Sequence, residues 1–242
     1  MGRPPRRRRD AYARGEALMP VLLESCVDSL DLAVAAAKAG AERIELCDRL
    51  DIGGTTPSKA LIEQVVAAVR IPVNPIIRVR GGDFFHSDAE VEQMKRDTEM
   101  AARAGAAGIV LGILNDDRTV DARRTREVMR VAPHIPATFH LAFDVTRDLV
   151  EALDAVAAIG IARVLTKGGG ETALHGVDVL RDLVARAATV RIMAGGGVRA
   201  ENAEEIVRRS GVREVHSRGT EVAEILAAAR RGERAVSQTG AR

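Results

Sequence analysis

The chain has 242 residues, of which 46% are hydrophobic and 29% charged, enough for one large globular core or two small ones. Its 36 basic residues nearly balance its 34 acidic ones, so the overall charge predicts no general affinity for polyanions such as nucleic acid. No run of about 18 apolar residues occurs, which excludes a predicted membrane-spanning helix, and the basic first residues lack the apolar stretch of a secretory signal.

Residues 1–19 form a basic, proline-rich extension that contains the sequence RPPRRRRDAYAR. This composition predicts disorder. Such an arm can tether a protein to nucleic acid or to a membrane, but an unstructured extension without a specific nucleic-acid partner is the interpretation that we favour. Met19 stands just before the first predicted strand and is a candidate for the biological start.

From Pro20 onward, short β-branched runs alternate with Ala-rich helical patterns. The predicted strands are PVLLESC, RIELC, PVNPIIRV, GIVLGIL, PATFHLAFD, ARVLTKGGG, TVRIMAGGGV and VREVHS. The helices predicted to follow them are SLDLAVAAAKAG, KALIEQVVAAVR, AEVEQMKRDTEMAARAG, VDARRTREVMRVA, RDLVEALDAVAAIG, HGVDVLRDLVARA, AENAEEIVRRS and TEVAEILAAARRG. Helical crossovers favour parallel pairing of the strands.

This alternation predicts an α/β fold of the (β/α)8, or TIM barrel, type in a single domain over residues 20–232. Residues 233–242 are expected to form a disordered tail. A doubly wound open sheet uses the same alternation and is the alternative. Against it, no G-x-G-x-x-G motif follows the first strand.

Polar side chains collect at the carboxyl ends of the predicted strands, which in a barrel meet at one mouth, where active sites lie. They are Glu24, Cys26, Glu45, Cys47, Arg78, Arg80, Asp83, His140, Asp144, Lys167 and His216. Because side chains alternate along a strand, Glu24 and Cys26 share one side of the first strand, and Glu45 and Cys47 share one side of the second. The set predicts a functional pocket. The competing interpretation is an ionic network that only fills the barrel.

Glycine-rich loops follow the last three strands. In AGGGV, Gly195 and Gly196 stand where many barrels bind phosphate through backbone N–H groups, and TKGGG and SRGT are placed to extend such a site. Glycines also serve tight turns, and this explanation has equal standing.

The two cysteines are too few for a disulfide framework and are expected to be thiols in the reducing cytoplasm. On neighbouring strands, Cys26 and Cys47 can lie at similar heights and hold a soft ion such as Cu(I). Buried cysteines also act as small apolar side chains, and spacing alone favours that role.

Eight motifs occur in an order and spacing that resemble the CutC family of copper homeostasis proteins. They are LLESC, AERIELC, GGTTPS, PIIRVRGGDF, FHLAFD, RVLTKG, IMAGGGVRAEN and EVHS, and they cover about residues 20–220. The resemblance implies a cytoplasmic (β/α)8 barrel that forms a homo-oligomer and takes part in copper trafficking. It also assigns Cu(I) binding to Cys26 and Cys47.

The other matched residues are hard ligands and acid–base groups, whereas Cu(I) prefers sulfur. They suit an alternative, a lyase, isomerase or hydrolase acting on a small anionic or sugar-like molecule. In that hypothesis Glu45 or His140 is the general base and Glu24 or Asp144 the opposing acid, with Arg78 as an anion clamp. The remaining substrate-binding candidates are Arg80, Asp83, Lys167, Gly195, Gly196 and His216.

The chain departs from the family pattern at the mouth. The family usually has FHRAFD, and here Leu141 replaces the arginine, which removes a guanidinium. Lys167 stands where the family has serine and offers a cation, although without the bidentate geometry of arginine. Val79 replaces a proline, a minor change, and Arg218 replaces the second serine of VHSS. The short connection after Arg218 weakens the prediction of a phosphate site.

Overall fold

In the computed structural model, residues 20–218 and 221–239 are described. The eight strands of this part are β1 Leu22–Val27, β2 Arg43–Leu46, β3 Val73–Pro75, β4 Ile109–Leu111, β5 Ala137–Phe139, β6 Arg163–Thr166, β7 Arg191–Ala194 and β8 Glu214–Arg218. The helices are α1 Leu30–Lys38, α2 Lys59–Ala68, α3 Asp88–Arg103, α4 Ala122–Arg130, α5 Leu149–Ile159, α6 Val177–Arg186, α7 Ala203–Ser210 and α8 Val222–Thr239. Short 3₁₀ turns, Leu50–Ile52 and Leu141–Val145, follow β2 and β5.

All the strand pairs are parallel, in the order β3-β2-β1-β8-β7-β6-β5-β4. The two ends of this order meet at a parallel bridge between Ile76 and Val110, where the Ile77 N–H donates to the Val110 carbonyl at 2.7 Å. The sheet therefore closes on itself, with one helix after each strand. The (β/α)8 barrel is confirmed, and the open doubly wound sheet is wrong.

Local sequence signals explain where several helices begin and end. At the start of α3, the Ser87 hydroxyl accepts from the Glu90 N–H while the Glu90 carboxylate accepts from the Ser87 N–H, a reciprocal capping box. The Asp148 carboxylate accepts two N–H groups at the start of α5. Gly160 ends α5 in the left-handed region at φ +92°, which favours glycine.

The period-two alternation of the strands separates two kinds of core. One face of each strand packs apolar side chains against the helices, as Leu23, Ile44 and Phe139 do. The other face points into the barrel and is largely polar. Arg43 on β2 reaches Glu214 on β8 past the intervening β1, a contact that is possible only through the barrel interior.

Two expectations concern the chain ends. The extension over residues 1–19 lies outside the described residues. The tail differs from its prediction, because α8 continues to Thr239 and residues 233–239 are helical rather than disordered. The boundary expected at residue 232 therefore falls inside a helix. Ala228 and Ala229 are buried on α8, so the helix is anchored by packing upstream of that boundary.

Candidate functional site

A chain of buried ion pairs fills the lower part of the barrel. Arg43 donates from Nε to Glu24 and from Nη2 to Glu214, the latter at 2.6 Å, and Arg163 also pairs with Glu214. Burial by itself raises the pKa of the fully enclosed Glu24, but the Arg43 guanidinium and His216 outweigh it and hold this pKa at about 2 instead of 4.5. Glu24 is therefore a permanent anion at the base of the site.

His216 connects this ionic chain to the upper barrel. Its Nδ1 lies 3.1 Å from Glu24 Oε1, and its Nε2 lies 3.4 Å from Glu45 Oε2. Register explains the contact with Glu24, because the two residues are paired on β8 and β1. Burial alone lowers the pKa of His216, but Glu45, Cys26 and Glu24 together raise it well above 6.5. The imidazole thus bridges the two glutamates.

The two cysteines face each other beside His216. Cys26 Sγ and Cys47 Sγ are 3.8 Å apart, and the residues are 6% and 1% exposed. The Cys47 hydrogen bond lowers the pKa of Cys26 well below 9.0 against the opposing effect of burial. The same hydrogen bond, with burial, raises the pKa of Cys47. The two sulfurs thus share one hydrogen bond, in which either can donate.

Glu45 completes this wall of the barrel. Burial, reinforced by the negative charge of Cys26, raises its pKa well above 4.5. Its ligand atoms group with the two thiols, all within 4.8 Å of one another, and a second group of the same kind joins Glu45 to Glu24 and His216. The first group is the softer of the two, since it holds both sulfurs.

The opposite wall places a cation over one aromatic ring, and a second ring lies tilted against the first. The Arg78 guanidinium lies 4.9 Å from the centroid of the Phe84 ring, and that ring lies 5.0 Å from the imidazole of His140. Arg78 Nη1 donates to the carbonyls of Gly53 and Gly54, and its Nη2 donates to Gly82 at 2.7 Å. The guanidinium thus ties together the loops that follow β2 and β3.

His140 is oriented by the backbone that follows it. Its Nδ1 accepts from the Ala142 N–H at 3.2 Å, so Nε2 carries the proton of the neutral ring. Burial, together with the charges of Arg78 and His86, lowers the pKa of His140 to about 3. Nε2 has no hydrogen-bond partner among the described residues. His140 is therefore a neutral hydrogen-bond donor.

A cavity of about 540 Å³ opens between the two walls. Seven of the residues predicted for the site line it, namely Cys26, Glu45, Cys47, Arg78, His140, Gly196 and His216. Glu24 lies beneath, in contact with His216. Leu141 adds an apolar part of the wall. The clustering predicted from the strand ends is thus present for these residues.

The structure does not bring five other predicted residues into the cavity lining. The Asp144 carboxylate accepts from the Thr166 hydroxyl and from the N–H groups of Lys167 and Gly169, so it holds the loop after β6. Arg80 is paired with Asp83 at 2.9 Å and with Glu90 at 2.6 Å. Two further residues outside the lining are Lys167 and Gly195.

Gly195 has a packing role that sequence reasoning did not assign. A Cβ atom at this position would lie 2.3 Å from Leu165 Cδ1 and 3.1 Å from His216 Cβ. Because Gly195 has no side chain, the end of β7 can lie close to His216, which contacts both Glu24 and Glu45. The adjacent Gly196 has φ +83°, and a Cβ there would overlap the Lys167 side chain.

Several contributing residues were missed from the sequence. Arg43 and Glu214 each lie two positions before a predicted residue, Glu45 and His216, on the same strand face. Strict period-two alternation would have placed them inside the barrel. Phe84 and Arg199 lie on loops, where alternation along a strand gives no signal, whereas Arg218 ends β8 and the rule for polar strand ends could have found it.

The family model described as CutC family matches residues 21–221. A family protein CutC of Enterobacter sp. strain 638 is 45% identical over 196 residues, which are 81% of this chain and 79% of that protein. The human copper homeostasis protein cutC homolog is 42% identical over 81% of this chain and 72% of its own length.

Solved structures agree with these matches. A CutC protein of Streptococcus agalactiae superposes with a TM-score of 0.78 at 35% identity, covering 84% of this chain and 99% of that one. A thiamine phosphate pyrophosphorylase from Pyrococcus furiosus has a TM-score of 0.60 at 15% identity, over 90% and 96% of the two chains, and shares the fold alone. With the family model over most of the length and relatives above 40% identity, this chain belongs to the CutC family of copper homeostasis proteins.

Proposed function

We propose that the protein binds Cu(I) between Cys26 and Cys47 and acts in copper homeostasis by carrying or buffering this ion. The observation that carries the proposal is the 3.8 Å separation of two buried sulfurs in a cavity wall. Metal–thiolate bonds are about 2.3 Å long, so both sulfurs can reach one ion without movement of the strands. Cu(I) selects soft sulfur ligands.

The surroundings of the thiols support the same proposal. Cys26 has a lowered pKa, and the thiolate is the form that binds a metal. Ile76 and Val110 pack against both cysteines and restrict water around the sulfurs. Both cysteines are free thiols, as a reducing compartment such as the cytoplasm maintains them. None of the described helices has the length and apolar character needed to cross a membrane.

The test is an anaerobic Cu(I) titration against a chromophoric Cu(I) chelator. We expect the wild type to withdraw one equivalent of copper, and Cys26→Ser, Cys47→Ser and the double variant to lose affinity by at least about 100-fold. Ser217→Ala is the matched control, since it removes a buried hydroxyl from the same cavity and keeps both sulfurs. Equal copper retention by the wild type and the double cysteine variant would exclude the proposal.

A second candidate function is favoured by the size of the cavity. At about 540 Å³ it is far larger than a metal ion requires and lies in the range of sites for small organic ligands. In this alternative the protein is an enzyme for a small anionic or sugar-like molecule, with Glu45 opposite His140. Because His140 Nε2 carries a proton, we assign His140 as a donor to the substrate rather than as the general base.

A thermal-shift screen of a metabolite library, with Cu(I) included, addresses both candidates, because a ligand that binds only the folded state raises the melting midpoint. For any hit that turns over, His140→Ala and Glu45→Ala are expected to abolish turnover. Full turnover in both variants would end the enzymatic alternative. The homo-oligomer implied by the family remains a prediction, which light scattering on the purified protein tests.

A further inference from the structure

Three arginines line the cavity without a carboxylate partner among the described residues. Arg78 donates only to backbone carbonyls, and Arg218 Nη2 donates to the carbonyl of Leu50 at 3.0 Å. No described carboxylate pairs with the side chain of Arg199, which follows β7 and is exposed. Unpaired guanidinium groups in a concave site create a positive potential.

Few acidic residues in the cavity lining oppose this charge. Glu45 is the one carboxylate in the cavity lining as far as the structure is described, and it is already next to His216. In the neighbouring loops, Asp51 is paired with Arg49 at 3.0 Å and Asp83 with Arg80 at 2.9 Å. Asp28 shares a smaller adjoining pocket with Arg218, but three arginines against one carboxylate in the cavity lining favour the entry of anions over a free cation such as Cu⁺.

The dimensions of the cavity point the same way. Its volume accommodates an organic molecule above the thiols. Apolar side chains of Leu50, Ile52, Leu141 and Val198 supply contact surface for such a molecule's carbon skeleton, while Arg199 and Arg218 stand at the exposed end. A bare ion would use neither feature.

We infer that Cu(I) enters this cavity as an anionic complex with a small carboxylate-bearing thiol, whose carboxylates contact Arg199 and Arg218, and is passed to Cys26 and Cys47 by ligand exchange. This inference rests on the proposed Cu(I) function and names the partner from which the ion is taken.

The exchange involves no oxidation or reduction. For each cysteine that binds, one copper–sulfur bond to the carrier breaks and one to the protein forms. Copper stays Cu(I) throughout. Each proton that a cysteine releases on binding copper passes to a departing carrier thiolate, which leaves as the thiol, and any carrier thiolate that receives no proton leaves as the thiolate.

The test is the rate of copper transfer from Cu(I)-loaded reduced glutathione, followed anaerobically by stopped flow. Electrostatic steering changes association rates by about 10- to 1,000-fold and weakens with salt. We expect Arg199→Gln/Arg218→Gln to slow transfer about tenfold or more at low salt and to lose most of the salt dependence that the wild type shows. Arg70→Gln is the matched control, because Arg70 is exposed and precedes β3 at the opposite end of the barrel.

For a cationic copper donor, the arginine substitutions are expected to have the opposite effect on the transfer rate. Transfer from Cu(I)–acetonitrile is expected to be as fast or faster in the double arginine variant, since a repulsive charge has been removed. Arg199→Gln alone covers the case in which loss of the Arg218 contact with Leu50 impairs folding, because the Arg199 side chain makes no described hydrogen bond.

Wild-type transfer rates from glutathione in the arginine variants, at every ionic strength, would overturn the inference and leave cysteine-dependent binding intact. Equal copper binding by the double cysteine variant would instead remove the proposed function itself. The two failures are thus distinguishable.

Discussion

Replacing Arg43 by methionine tests whether the ionic chain in the barrel stabilises the site. Methionine keeps a shorter, unbranched apolar side chain and removes the guanidinium that joins Glu24 to Glu214. Glu24 is 0% exposed and titrates at about 2 instead of 4.5. This difference corresponds to about 3 kcal/mol at neutral pH, in the range of about 3–5 kcal/mol found when one partner of a buried ion pair is removed.

The expected pH dependence has a definite sign. A carboxyl whose pKa is lowered by folding stabilises the native state above its unfolded value and loses that contribution as the pH falls toward its folded value. The difference in the free energy of unfolding between the wild type and Arg43→Met should therefore have its full value at neutral pH. It should decrease as the pH falls from 4.5 to about 2.

Urea unfolding followed by circular dichroism measures the effect. With a slope of about 2–3 kcal/mol per molar urea, we expect the midpoint of Arg43→Met to fall by about 1 M at neutral pH. Arg70→Met is the control and should stay within about 0.5 kcal/mol, as exposed substitutions usually do. An unchanged midpoint for Arg43→Met, or a difference from the wild type that does not narrow in acid, would refute the reasoning.

Three further predictions follow from the same geometry. Because the pKa of His140 is lowered to about 3, its ring proton shifts should stay constant in NMR spectra between pH 5 and 8, and a titration midpoint within that window would contradict the buried neutral ring. Asp144→Ala removes the acceptor of the loop after β6, so amide hydrogen exchange of Lys167 and Gly169 should accelerate at least about tenfold, equivalent to about 1.4 kcal/mol; unchanged protection would show that the carboxylate does not hold this loop. Ser87→Ala breaks the capping box of α3 and should cost about 1 kcal/mol in urea unfolding, whereas an effect below about 0.3 kcal/mol would count against it.

Sequence patterns predicted much of the site because all the strands of a (β/α)8 barrel run in the same direction. Consecutive parallel strands send their carboxyl ends to one rim, so Glu45, His140 and His216 were expected to meet before any coordinates were known. Strand positions also allowed Cys26 and Cys47 to lie at similar heights. The register instead pairs Cys26 with Glu45, two positions before Cys47, and the two sulfurs nevertheless lie 3.8 Å apart. These inferences need only strand order and alternation, both of which are local properties of the chain.

Other features depend on which groups a side chain meets after the barrel closes. Asp144 lies just past a strand end, like its neighbours, but the N–H groups of the next loop capture its carboxylate. The Nε2 proton of His140 is decided by a single backbone contact at Ala142.

The sequence by itself determined the eightfold strand–helix alternation, the rim on which acids, thiols and histidines gather, and membership of the CutC family. Only the tertiary structure decided that Arg43 reaches Glu214 past β1, that the sulfurs of Cys26 and Cys47 meet although the register pairs Cys26 with Glu45, and that Arg199 and Arg218 face the cavity without a carboxylate partner in the described chain. The physical reason is that charge and protonation depend on distances across the barrel, and closure of the sheet sets these distances between residues far apart in the chain.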